Sequence, residues 1–324
     1  MIPFTLQKAG SEAEALGAAA AGARFIAGGT TLVDLMREHV EQPTRLVDIN
    51  ALPLSHIRVE GDELVIGALA RMSDVAAHPD VCRLHPVIAE SLIEGASPQL
   101  RNMASIGNLL QRVRCPYFRM LDADCNKRAP GSGCAAIDGL HAGNAILGVS
   151  DHCSATHPSD LAVALVALDA VVHVRGPHGA RSFPVEDLFR LPGTTPHLEH
   201  TLQAGELIVE VRVPPLSFAR TARYLKVRDR ASYEFALVSA AAAFEVRDGV
   251  IQAARLACGG VGTRPWRMRA AELLLQGSPA TRQSFEAAAL TTIADASPLP
   301  GNRYKVALLQ RTVIHALELV GEGK

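Results

Sequence analysis

The chain has 324 residues, 48% of them apolar. That is enough to build more than one core, and it excludes a disordered chain. A formal charge of −1 and an aromatic content of 4% exclude both a global basic field for nucleic acid or anionic lipid and a base-stacking platform. No partner of either kind, nucleic acid or membrane, is expected.

The N-terminal stretch MIPFTLQKAGSEAEALGAAAAGARF places Glu12 and Glu14 just before its alanines, so it lacks the basic start of a signal peptide. The most apolar window, DLAVALVALDAVVHV, is interrupted by Asp160, Asp169 and His173, which argues against a membrane span. The chain is therefore expected in the cytoplasm, or in the periplasm if a signal-bearing partner carries it out.

The first elements alternate. SEAEALGAAAAG reads as a helix and ARFIAGG as a strand ending in two glycines. TTLVDLMREHV reads as a helix, TRLVDIN and ELVIGAL as strands, and HPVIAESLIEGAS as a helix. Strand, glycine turn and helix in repetition predict an α/β domain. From Gln111 to Thr156 the periodicity stops, and the segment is rich in Gly, Pro, Asp and Cys. A loop of that length needs something besides an apolar core to order it, and a metal cluster would serve.

Regular structure resumes with HPSDLAVALVALDA, a helix that Ser159 or Asp160 can cap, followed by the strand VVHVRG. After ELIVEVRVPP the composition shifts. SYEFALVSAAAAFEVRDGVIQAARLACGGVG reads as strands around a turn at Asp248–Gly249, and helices are expected near RPWRMRAAELLLQG, SFEAAALTTIA and YKVALLQRTVIHALELV.

Of six cysteines, four fall in the irregular segment: Cys115, Cys125, Cys134 and Cys153. Four thiolates complete either an iron–sulfur or a zinc site, and spacing alone leaves iron, zinc and ordinary thiols open. Arg112, Arg114, Arg119, Lys127 and Arg128 flank them, and GSG precedes Cys134. Cations and exposed N–H groups beside the thiolates would suit a cluster with net negative charge. Cys82 and Cys258 stand alone and read as buried small side chains.

Two glycine turns are candidate phosphate contacts. FIAGGTTLVDLM joins a strand to a helix through Gly28 and Gly29, and RNMASIGNLLQ turns at Gly107 and Asn108. Neither is a G-x-G-x-x-G or a Walker loop. The Ser, His and Asp of DHCSATHPSD share one loop and do not make a triad. No catalytic set is expected, so any chemistry would belong to cofactors.

Taken together, AGGTTLVDLM, RNMASIGNLLQRVRCPYFRM, CNKRAPGSGCAA, NAILGVSDHCSATHPSDLAVALVALDA and LACGGVGTRPWR resemble the FAD-binding subunits of the xanthine dehydrogenase and molybdenum hydroxylase family. The resemblance runs over nearly the whole chain. It is strongest to the bacterial aldehyde oxidoreductase branch, whose flavin subunit carries an extra [4Fe–4S] cluster. It implies an α+β protein: a two-part FAD-binding domain of the vanillyl-alcohol-oxidase type over residues 1–217, a cluster insertion at about 111–156, and a CO dehydrogenase flavoprotein-type domain over 218–324.

The resemblance also implies roles. Ile26, Ala27, Gly28, Gly29, Thr30, Thr31 and Leu32 would wrap the FAD pyrophosphate. Ala104, Ser105, Gly107 and Asn108 would contact its other side, Ser159 and Asp160 the ribityl and phosphate region, and Lys226 the flavin. Cys115, Cys125, Cys134 and Cys153 would hold the [4Fe–4S] cluster. The implied partners are a molybdenum-cofactor large subunit and a [2Fe–2S] small subunit. The chain departs from the family at Ser105-Ile106-Gly107-Asn108, where relatives have two glycines before the asparagine, which places the Gly107 contacts in question. The competing expectations are a zinc-braced structural subunit that has lost FAD, and a stand-alone flavin oxidoreductase.

Overall fold

The computed structural model describes residues 1–323. Its N-terminal part alternates β1 (Thr5–Lys8), α1 (Glu12–Ala20), β2 (Arg24–Ile26), α2 (Leu32–Arg37) and β3 (Arg45–Asp48). The strands form a parallel sheet in the order β1-β3-β2. Helix α1 starts where Ser11 Oγ accepts from Glu14 N–H at 3.2 Å while the Glu14 carboxylate accepts from Gly10 N–H at 2.8 Å. A side-chain oxygen at the N-cap that takes an otherwise unpartnered N–H of the first turn is how such a helix begins, and the bond to Gly10 ties the preceding residue to the same turn.

The hairpin β4 (Ile57–Glu60) and β5 (Glu63–Gly67) follows, then α3 (Met72–Ala77), α4 (Pro79–Leu84), α5 (Pro86–Glu94) and α6 (Pro98–Arg101). The last three open on proline, whose fixed φ and missing N–H suit a first helical position. The single turn α7 (Pro116–Arg119) is the only α-helix in the irregular segment, and α8 (Asp160–Ala167), β6 (Val171–Gly176), β7 (Gly179–Pro184) and β8 (Leu207–Val213) follow it. Strands β4-β5-β8-β6-β7 make a second sheet, antiparallel throughout. The α+β expectation holds for the chain, with the strand–turn–helix alternation confined to the first sheet. Two-residue links such as 61–62 permit hairpins, whereas parallel pairing needs a crossover of a dozen residues or more.

The C-terminal part is an antiparallel sheet of β9 (Arg223–Val227), β10 (Val238–Arg247), β11 (Val250–Gly259) and β12 (Trp266–Arg267), in the order β12-β11-β10-β9, with α9 (Arg269–Leu275), α10 (Arg282–Thr291) and α11 (Tyr304–Gly321). Trp266 and Arg267 were expected in a helix. They instead extend against Cys258 and Ala257, and the helix starts at Arg269. All eight residues of α8 are buried, because it packs on α5 on one side and on β10 and β11 on the other. A helix apolar all round needs such a central place. No helix among the described residues is long and apolar enough to cross a membrane.

The irregular segment is anchored at both ends. Arg119 pairs with Asp34 at 2.7 Å and Glu38 at 2.5 Å on and beside α2, and Arg112 pairs with Glu41. Farther on, Ile146 and Leu147 join the C-terminal core and donate to the Val261 carbonyl at 2.8 and 3.0 Å. The start of α11 then grips residues 141–145. Asn302 Nδ2 donates to the carbonyls of Asn144 and Ala145, Tyr304 Oη to that of Ala142, and Lys305 Nζ to those of Gly143 and Gly260.

Lys305 is fully buried, and its hydrogen bonds go to two carbonyls, which a neutral amine can also satisfy. Burial pushes its ammonium down to about 7 from 10.5. Between those values the unfolded chain binds the extra proton, so stability contributed by this group rises with pH across that window. Each unit of depression is worth about 1.4 kcal/mol. Urea unfolding at pH 7 and pH 9.5 is expected to show a smaller rise for Lys305→Met than for the parent chain.

Candidate functional site

The turn between β2 and α2 faces the segment 103–110 across a cleft of about 450 Å³. Gly28 lies so close to the opposite wall that a Cβ there would sit 2.1 Å from the Met103 carbonyl oxygen. Gly29 has φ +70°, a left-handed conformation that glycine adopts without strain. The backbone N–H groups of residues 28–32 donate to no acceptor among the described residues, so a row of donors is left for a bound group. On the far wall Ser105 Oγ accepts from Gly107 N–H at 3.3 Å, and the single-glycine turn winds into a 3-10 helix, Ile106–Leu110. The turn closes through Ser105 with one glycine, and a Cβ on Gly107 would meet Ser105 Oγ at 3.3 Å.

Ile26, Ala27, Gly28, Gly29, Thr30, Thr31 and Leu32 line this cleft, as do Ala104, Ser105, Gly107 and Asn108. Ser159 lines neither this cleft nor its neighbour. It acts through Asn108: its Oγ donates to Asn108 Oδ1 at 2.5 Å while accepting the Ala162 N–H that starts α8. Asp160 and Lys226 line an adjoining cavity of about 230 Å³, which shares Met72, Ala96, Leu100, Asn108, Gln111 and Arg114 with the cleft.

In that cavity Lys226 Nζ contacts Asp160 Oδ2 at 2.8 Å, and Tyr224 Oη donates to Asp160 Oδ1 at 2.6 Å. Burial first, and the Asp160 charge second, hold the Tyr224 phenol well above its ordinary range, so it stays a donor. The Lys226 side chain is 1% exposed. Asp160→Asn would strand a buried ammonium, a loss of about 3–5 kcal/mol. Thermal unfolding is expected to show this loss, and adding Lys226→Met to Asp160→Asn should recover much of it.

The four cysteines line one small cavity, and none is in a disulfide. Cys125 and Cys134 face each other across an antiparallel bridge, and Cys153 Sγ accepts from Ala155 N–H at 3.5 Å. Burial raises the Cys115 thiol to about 11 and pushes Cys153 up as well, with the other thiols in the set adding to both. Lys127 lines this cavity as expected and its charge opposes the rise at Cys153, but other neighbours differ from the sequence expectation. Arg112 and Arg119 are committed to carboxylates, and Arg128 to the carbonyls of Tyr117, Phe118, Leu121 and Ala123. The Gly131 and Gly133 N–H groups donate to Asn126 Oδ1, not to sulfur. Among the described residues no group of three or more His, Cys, Asp or Glu is gathered so that it could hold a metal ion.

Residues 2–216 match the family model described as the FAD binding domain in molybdopterin dehydrogenase, and residues 223–318 that of the CO dehydrogenase flavoprotein C-terminal domain. The chain belongs to the FAD-binding subunits of the molybdenum hydroxylases, a family of oxidoreductases. It is 48% identical over 322 residues to the aldehyde oxidoreductase FAD-binding subunit PaoB of Escherichia coli, covering 98% of each chain. It is 28% identical to the carbon monoxide dehydrogenase medium chain of Hydrogenophaga pseudoflava, covering 98% of this chain and 97% of that one. A reconstituted CO dehydrogenase from Oligotropha carboxidovorans superposes on the whole of both chains with a TM-score of 0.78 at 22% identity, a likeness of fold.

For a flavin subunit the cleft is well suited: concave, largely apolar, with a glycine approach and free N–H donors. Several of its lining residues were not read from the sequence as part of this cleft. The His157 imidazole stacks edge-on against Phe189 with centroids 4.6 Å apart, and burial holds it at about 4, hence neutral. Glu199 and Lys127 pair at 2.9 Å on the cleft wall. These residues come from distant loops and carry no motif. Only a surplus of His and Pro in 189–200 sets that loop apart.

Proposed function

We propose that this flavin subunit transfers electrons within an aldehyde-oxidising molybdenum complex, holding FAD in the Gly28–Asn108 cleft and a [4Fe–4S] cluster on Cys115, Cys125, Cys134 and Cys153. In this reading it receives electrons from a [2Fe–2S] small subunit, which a molybdenum-cofactor large subunit supplies, and delivers them to an external acceptor. The aldehyde substrate class rests on the similarity to PaoB.

One observation carries the cluster half of the reading. Four free thiols line a single cavity, and Cys153, Lys127, Val113 and Ala155 belong to the walls of both that cavity and the FAD cleft. A redox group held there would lie beside the flavin site.

Bound FAD supplies reversible acceptance of electrons, and the chain supplies placement and tuning. The N–H groups of residues 28–32, with Ile26 and Ala27 behind them, would face the pyrophosphate. Ala104, Ser105, Gly107 and Asn108 would face its other side. Ser159 would fix the Asn108 amide, while Asp160 and Lys226 would hold a paired charge near the ring. The reading divides the chain at residues 217 and 218, with the cysteine insertion at about 111–156.

The test is a visible spectrum with iron, zinc and flavin analysis of protein purified anaerobically. Iron and FAD together, with aldehyde turnover appearing only when partner subunits are added, is the expected result. Zinc without iron or flavin, or aldehyde turnover by the isolated chain, would overturn the reading.

A further inference from the structure

Between β7 and β8, residues 189–200 form a loop that closes on itself. Phe189 and His200 pair across an isolated bridge, and Arg190 N–H donates to the Glu199 carbonyl at 3.0 Å. The loop lines the FAD cleft with Phe189, Pro192, Pro196 and Glu199, among others. From Leu191 onward its only buried residues are Pro192 and Pro196. Phe189 holds the base of the loop in the main core, but two prolines are a weak apolar anchor for the rest of this cleft wall, so residues 191–200 are held by other contacts.

Those contacts come from the cysteine insertion. Lys127 Nζ donates to the Pro196 carbonyl at 2.8 Å and pairs with the Glu199 carboxylate at 2.9 Å, and its side chain is 8% exposed. Arg112 pairs with the same carboxylate. Burial disfavours the Glu199 charge, but Lys127 and Arg112 outweigh it and keep the carboxyl below its ordinary range. Near the far end of the insertion, Ser150 Oγ donates to the Gly193 carbonyl at 2.8 Å. Thus one side of the flavin cleft is a loop with little core beyond its base, and three residues of the insertion, Arg112, Lys127 and Ser150, hold it in place.

We propose that the cysteine insertion clamps the 189–200 loop over the flavin, with Lys127 as the principal positioning residue and Ser150 as the second, so that loop order governs FAD release. Lys127 lies two residues beyond Cys125, so whatever orders the cysteines also sets the clamp. The inference rests on the FAD-bearing cleft, and only this last link rests on the cluster.

The experiment compares the FAD-loaded full chain with Lys127→Met, Lys127→Arg and Ser150→Ala. FAD release is followed by the recovery of free-flavin fluorescence, cleavage within 191–200 by limited proteolysis, and retained iron by direct analysis. Lys127→Met should release FAD roughly tenfold faster or more, as loss of a partly buried charge-assisted contact implies. The 191–200 segment should become cleavable while iron content stays at the parent level. Lys127→Arg should restore much of the retention, and Ser150→Ala should give a smaller acceleration. Parent-like FAD release and proteolysis in both Lys127→Met and Ser150→Ala would overturn the clamp. If the parent chain contains no iron yet Lys127→Met still releases FAD faster, the clamp stands and the cluster assignment falls.

Discussion

Cys125→Ser is expected to reduce bound iron to background and to loosen residues 111–156, visible as new proteolytic cuts between 120 and 145. The reason is the composition of the local core. The buried apolar set of this region is Leu35, Val113, Phe118, Cys125, Cys153 and Ala155, so two of its six members are themselves proposed ligands. Residues 120–135 contribute only Cys125 to it, while Met120 and Leu121 are exposed. Hydrogen bonds within the loop, such as those from Gly131 and Gly133 to Asn126, contribute about 1 kcal/mol each. That is little against the entropy of ordering a long segment. Ligation energy would be folding energy here, as in small metal-ordered domains. Retention of full iron by Cys125→Ser would remove Cys125 from the ligand set. Unchanged proteolysis would show that the anchors at 112–119 and 141–147 order the loop without ligation.

The second large effect is expected at Gly28. Gly28→Ala places a methyl carbon 2.1 Å from the Met103 carbonyl oxygen and 2.9 Å from its carbon. Both are backbone atoms, so no side chain can swing aside, and one wall of the cleft must move. Inserting an extra carbon in so tight a contact costs about 1–3 kcal/mol or more. The movement falls on the row of free N–H groups at residues 28–32. FAD affinity should drop by roughly tenfold to a hundredfold, at about 1.4 kcal/mol per decade. Flavin content after gel filtration and titration of the apoprotein with FAD measure this directly. Parent-like affinity would mean that the turn can retreat from segment 103–104 without disturbing its donors.

Much of the fold was legible in the sequence because local rules and burial agree. SEAEALGAAAAG forms its helix, Ser159 caps the helix it was placed to cap, and Asp248–Gly249 turns between β10 and β11. The antiparallel second sheet was missed because each of its strands reads the same whichever neighbour it pairs with. Partner choice depends on connection length and on long-range packing. Of the flanking basic residues, Lys127 does line the thiol cavity, but Arg112 and Arg119 are claimed by carboxylates for a related reason. Proximity in sequence to Cys115 or Cys125 says nothing about whether Asp34, Glu38 or Glu41 will arrive from α2 and its following loop to claim the charge.

By itself the sequence determined the chemistry available: four thiols in a segment too irregular for a core, and two glycine turns able to approach a phosphate. Those are properties of residue type and near-neighbour spacing, which no later packing can alter. Only the tertiary structure decided that the two turns face one another, that Asn108 is held by Ser159, and that the wall between cleft and thiols carries Val113, Lys127, Cys153 and Ala155. Such pairings join residues tens of positions apart, and no local pattern encodes them.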